Sequence, residues 1–192
     1  MAGNQRVLRA RLTDDEFLWR PDQTRNLESY LPELSNVTFH EGLGTLHDKA
    51  LRIETLATAI APYLDAVNPA IAGRAARLAK ADLVTSLVGE FPELQGIIGG
   101  YYAGASGEIT AVSNAITGHY RPQGPADNLP ATPTAMVVAL ADKVDTLVGF
   151  FGIGAKPTGS KDPFALRRAA VGVIRIIVDG KLNLPLATVL QA

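Results

Sequence analysis

The sequence has no cysteine, which excludes disulfides and thiolate metal sites and is compatible with a reducing compartment. It has no apolar run near the roughly 18 residues that a membrane span needs. The opening Met-Ala-Gly-Asn-Gln-Arg is not built like a signal peptide. The expectation is a soluble, cytoplasmic protein with no membrane partner. A surplus of positive charge is also missing: 18 Lys and Arg against 19 Asp and Glu leave a formal net charge of −1. A free-standing, nonspecific nucleic-acid binder relies on a basic excess to neutralise phosphates, so any nucleic-acid contact must be a local patch. Internal repeats, heptad runs and low-complexity tracts are absent. Strand signals are weak, with Val7 to Leu12 the best candidate.

What is present is helical. The 192 residues are 47% hydrophobic, enough for a core. Thr13 with Asp14, Asp15 and Glu16 reads as a capped, acid-biased helix start. Leu46, Ala50, Ile53, Ala57, Ile60 and Leu64 recur at spacings of three and four, the helix period. Asn68-Pro69 is a cap followed by a proline, and the pattern after it runs through Ala72, Ala76, Ala79, Leu83 and Leu87. Phe91-Pro92 breaks that pattern and starts a helix from Glu93 to about Ala103. Gly107-Glu108 opens another, ending near His119-Tyr120. A proline-rich loop fills residues 121–133, and further helices follow from Met136 to about Phe150 and up to Val178. This predicts an all-α helical bundle. Leu184-Pro-Leu-Ala-Thr-Val-Leu-Gln-Ala reads as the start of a following segment that stops abruptly.

Three constellations could carry chemistry. The first is the run from Lys156 through Lys161, Asp162 and Pro163 to Arg167 and Arg168. Asp162 can cap a new helix and Pro163 suits its first position. A helix N-terminus is already electropositive, so four cations there disfavour folding and favour phosphate. Arginine forks and lysine point charges both suit that ligand. The alternative is that these cations pair with Asp162, Glu90 or Glu93 and pin the last helices, a packing role also assigned to Arg175. Thr-Gly-Ser-Lys lacks the spacing of a phosphate-binding P-loop.

The second set is His47, Asp82, His119 and Asp142, whose order resembles the all-helical, metal-dependent phosphohydrolases of the HD superfamily. The resemblance implies His47 as first ligand, Asp82 as the aspartate of a His-Asp pair, Asp142 as the late aspartate and His119 as an extra histidine. Ala81 stands where the pair needs its histidine. An incomplete ligand set leaves a transition metal under-specified. A vestigial polar network is expected here, with an active phosphohydrolase as the alternative. The third set is Gly89-Glu-Phe-Pro-Glu-Leu-Gln-Gly with Gly99-Gly-Tyr-Tyr-Ala-Gly. Its small residues allow close helix packing, while nothing orients Glu90 and Glu93 as an acid/base pair. The three histidines, His40, His47 and His119, form no triad with a nucleophile elbow.

The basic run, with Ala141-Asp-Lys-Val-Asp-Thr-Leu-Val-Gly, Ala79-Lys-Ala-Asp-Leu-Val-Thr and Phe39-His-Glu-Gly-Leu-Gly-Thr-Leu, resembles the β subunit of the bacterial, two-subunit glycyl-tRNA synthetase. The likeness covers nearly the whole chain. It implies a middle segment of that subunit with a degenerate HD-like domain. The expected division is an extension at 1–40, the helical domain at 41–180 and the start of a further segment at 181–192. The partners implied are the catalytic α subunit and tRNA(Gly). The whole enzyme uses ATP and magnesium, while this segment holds no cofactor and no catalytic residue. Lys156, Lys161, Arg167 and Arg168 would face the tRNA backbone. A purely structural interaction module is the remaining alternative.

Overall fold

The structure, a computed structural model, describes residues 18–159 and 161–190, apart from the Thr188 side chain. The expected strand at Val7 to Leu12 and the capped start at Thr13 lie outside the described residues. The rest is mainly α. A 3-10 segment, Leu27–Asn36, leads into a two-stranded antiparallel hairpin of β1 (Thr38–His40) and β2 (Gly44–Thr45). Strands this short carry no alternation to read, so the sequence offered no sign of them. The helices that follow are α1 (Leu46–Ile60), α2 (Pro69–Leu78), α3 (Ser86–Glu90) and α4 (Ile97–Ala105). After them come α5 (Thr110–Gly118), α6 (Pro133–Gly152), α7 (Leu166–Asp179) and the single turn α8 (Leu186–Val189).

Local chemistry sets most boundaries. Thr45 and Asp48 form a reciprocal capping box at the start of α1. Asn68 accepts from the Ala70 and Ile71 amides, and Pro69 opens α2 as expected. The pattern expected to run on to Leu87 stops at Leu78 instead. Residues Ala81–Val84 tighten into a 3-10 turn, and Thr85 starts a new helix as its cap. The Asp22 carboxylate, 4% exposed, takes the Ser86 and Leu87 amides from across the molecule. That cap and the Thr85 restart define α3, and neither is visible in the apolar period. The helix expected from Glu93 begins only at Ile97, because Gly96 adopts φ +79° just before it.

Helix α6 is the axis of the molecule. Residues Val137 through Asp145 are all buried along it, so it is covered on every side. It packs against α1, α2, α5 and α7. The core also takes in Leu27, Leu31 and Leu34 from the 3-10 segment and Val189 from α8.

Candidate functional site

Helices α1 and α6, the turn after α2 and the end of α5 carry buried charges to one place. Lys49 on α1 pairs with Asp145 Oδ2 at 2.8 Å and with Asp142 Oδ1 at 3.0 Å. It also donates to Thr146 Oγ1 at 2.9 Å. Arg52, one turn on, donates to Asp145 Oδ1 at 2.5 Å and to the Leu43 carbonyl. The Lys80 ammonium pairs with Asp142 Oδ2 at 3.0 Å, lies 2.9 Å from His119 Nε2 and sits 3.9 Å from the centre of the Tyr120 ring. Lys143 points to the carbonyls of His119, Tyr120 and Arg121 at the end of α5.

The tautomer of His119 follows from its neighbours. Its Nδ1 lies 2.6 Å from the Ile116 carbonyl, which can only accept, so Nδ1 carries the proton and Nε2 accepts from Lys80. Burial, and then the Lys80 ammonium, lower the His119 pKa to about 3, so the ring is neutral. Burial alone would raise the Asp142 carboxyl, but the Lys49 and Lys80 ammoniums outweigh it and hold it well below the usual range. Burial lowers Lys143 to about 8.

The four residues matched to metal ligands are not brought to one point. His119 and Asp142 do meet, but through the Lys80 ammonium. Asp82 is fully buried, and its Oδ2 accepts from the Gly96 and Gly99 amides at the start of α4. It lies in the 3-10 turn rather than inside a helix, and its Oδ1 has no hydrogen-bond partner. Burial raises its carboxyl against those amides. His47 sits in the first turn of α1, where Asp48 feels its charge. Among the described residues no three His, Cys, Asp or Glu side chains gather to hold a metal ion. The residues therefore do not fit one: a lysine cation takes up the donors that a metal would need, and Ala81 offers no imidazole. Sequence reasoning missed Lys49, Lys80 and Asp145 as the centre of this network. The available signal was charge embedded in apolar helix, as in Ala79-Lys-Ala-Asp and Ala141-Asp-Lys-Val-Asp.

The basic segment lies elsewhere on the surface. Asp162 Oδ1 and Oδ2 accept from the Leu166 and Arg167 amides at 2.8 and 3.0 Å, so it caps α7 as expected. Pro163 is not the first helical residue. Ala165, at φ +54°, turns the chain first, and the helix starts at Leu166. Phe164 stacks on Phe150 with centroids 4.1 Å apart, fixing the loop to the end of α6, and His40 meets both rings edge-on. Lys156, Lys161, Arg167 and Arg168 are all exposed. Arg167 donates to the Thr158 carbonyl at 2.6 Å. Among the described residues no ion pair joins any of the four to a carboxylate. The expected alternative, pairing with Asp162, Glu90 or Glu93, is thus not what the side chains do. Arg175 does have the packing role assigned to it: it donates to the Gly124 and Asp127 carbonyls and holds the proline loop on α7.

The small-residue segment is a packing device. A Cβ on Gly99 would lie 2.8 Å from Asp82 Oδ2, and one on Gly100 would collide with Thr117 Oγ1. Helices α4 and α5 touch because those positions carry no side chain.

Fold and surface together define a mainly α domain with an ion-paired interior and an outward-facing basic segment. Comparison with known proteins then places it. The family model described as glycyl-tRNA synthetase beta subunit matches residues 1–192, and the chain belongs to that family. A glycine–tRNA ligase beta subunit of Phenylobacterium zucineum is 58% identical over 96% of this chain and 28% of its own length. One from Aromatoleum aromaticum is 56% identical over 97% and 27%. One from Neisseria gonorrhoeae is 54% identical over 94% and 26%. The chain therefore spans about a quarter of the length of these relatives. No described helix is long and apolar enough to cross a membrane.

Proposed function

We propose that this chain is a helical portion of a glycine–tRNA ligase β subunit that contacts the tRNA backbone and braces the catalytic α subunit. The parent assembly joins glycine to tRNA(Gly) in the cytoplasm, using ATP and magnesium. Lys156, Lys161, Arg167 and Arg168 form the phosphate-facing patch, and the ion-paired interior keeps its scaffold rigid. The supporting observation is that all four cations are exposed, without carboxylate partners among the described residues, on the first turn of α7 and on the loop before it, which Asp162 and Phe164 anchor. The anchored backbone spares the ordering of the chain itself when an anion arrives.

The test is replacement of Lys161, Arg167 and Arg168 by alanine in the assembled α/β enzyme, with tRNA affinity followed across salt concentrations. Affinity should fall about tenfold or more at low salt. The slope of log affinity against log salt should shrink by roughly one for each phosphate no longer neutralised. Unchanged affinity in a folded variant leaves only the scaffold role. A metal-dependent phosphohydrolase is the weaker reading, because Ala81 supplies no ligand and Lys80 takes up His119 and Asp142.

A further inference from the structure

Helix α7 is apolar on two opposite sides. Leu166, Val173 and Ile176 are buried against the body of the molecule. On the far side Val171, Ile174 and Val178 are 43%, 58% and 65% exposed. Their spacing of three and four residues lines them up along one stripe, with Arg167 at its head. A helix with only one side to bury carries polar residues outward, and a helix apolar all round is a covered helix. Three β-branched aliphatic side chains in line on the outer face are the mark of an interface.

The chemistry of the stripe selects the occupant. Beyond Arg167, its three aliphatic side chains offer no aromatic platform for bases and no donor for phosphate, so RNA gains nothing along them. What fits is another helix with aliphatic residues at the same spacing, laid against it. The relatives supply the source. This chain covers 28% and 26% of the length of two of them, so most of a β-subunit polypeptide lies outside the part described. A segment of the same polypeptide is present at high effective concentration.

We propose that Val171, Ile174 and Val178 seat an amphipathic helix from the remainder of the β-subunit polypeptide. This rests on family membership alone, and leaves Lys156, Lys161, Arg167 and Arg168 free for phosphate.

Hydroxyl-radical footprinting of side chains tests it without RNA, so its outcome is separate from that of the tRNA reading. The 192-residue chain is compared with the full-length β subunit of the Phenylobacterium zucineum relative, each alone. Ile174 and Val178 should oxidise freely in the short chain. The residues aligned with them should be protected at least fivefold in the full-length subunit. Equal oxidation in the two proteins overturns the proposal, as does protection of Ile174 in the short chain itself. Protection that appears only when an α subunit or tRNA is added also overturns it. So does protection that disappears on dilution together with a doubled mass, since the occupant is then a second copy.

Discussion

At the scale of the residue, His119 is the sharpest reporter of the interior. It is fully buried and neutral, with Lys80, Asp142 and Lys143 the charged groups that act on it. Its pKa is about 3 in the folded protein, against an unfolded value near 6.5. Between those values the unfolded chain binds a proton that the folded chain refuses, so stability falls as pH drops through that window. The largest slope a single group can give is about 1.4 kcal/mol per pH unit. Between pH 6.5 and 5 the loss attributable to His119 is roughly 1.6 kcal/mol, below the full slope because the unfolded imidazole is only half protonated at pH 6.5. Asp82 acts in the opposite sense, since burial raises its carboxyl, so the variant and the wild type share its contribution and their difference isolates His119. Urea unfolding of the wild type and of His119→Gln at pH 6.5 and pH 5 checks this. The variant should start less stable and should lose less on acidification. Equal losses in the two proteins would show that His119 is not the group titrating.

At the scale of the element, close approach of α4 and α5 depends on glycine. Gly100→Ala places a methyl group against Thr117 Oγ1 and 2.9 Å from the Ser113 carbonyl oxygen, which is backbone and cannot turn aside. The expected cost is about 1–3 kcal/mol in a thermal or urea melt. Thr117→Ala in the same chain should restore only part of it, because the carbonyl remains. The same kind of local signal explains what the sequence made legible. Local signals located α1, the start of α2, α5, α6 and the end of α7; Asn68, for one, acts within three residues of the amides it satisfies. The break after Leu78 was hidden, since Asp22, sixty-odd residues away, caps the helix that follows. At the candidate sites, the exposed basic run was readable from charge and turn residues alone. The buried network was not: Lys49 sits at a helix position that a period argument assigns to either face, and Lys80 lies in the turn after α2. Only packing against α6 shows that their ammoniums point inward.

At the scale of the whole molecule, two populations of charge behave differently. The Lys49, Lys80, Asp142 and Asp145 side chains are between 3% and 11% exposed and tie α1, the turn after α2 and α6 into one body. Salt screens such pairs little, because counterions cannot come between them. The basic segment lies in solvent, where any phosphate contact weakens steeply as salt releases its advantage. Raising potassium chloride from about 0.05 to 0.5 M should therefore move the melting temperature of this chain by no more than a few degrees. The same change should weaken tRNA binding by the assembled enzyme by at least a hundredfold, on the order expected for several phosphate contacts. The cation that holds the interior together is a lysine, not an exchangeable ion, so a chelator belongs in the same experiment. A core tied by a metal loses that binding free energy from its stability when the metal is stripped. Here melts with EDTA, and with added manganese, should superimpose on the untreated one. A drop of several degrees in EDTA, restored by manganese, would mean that Lys80 is not the cation serving His119 and Asp142.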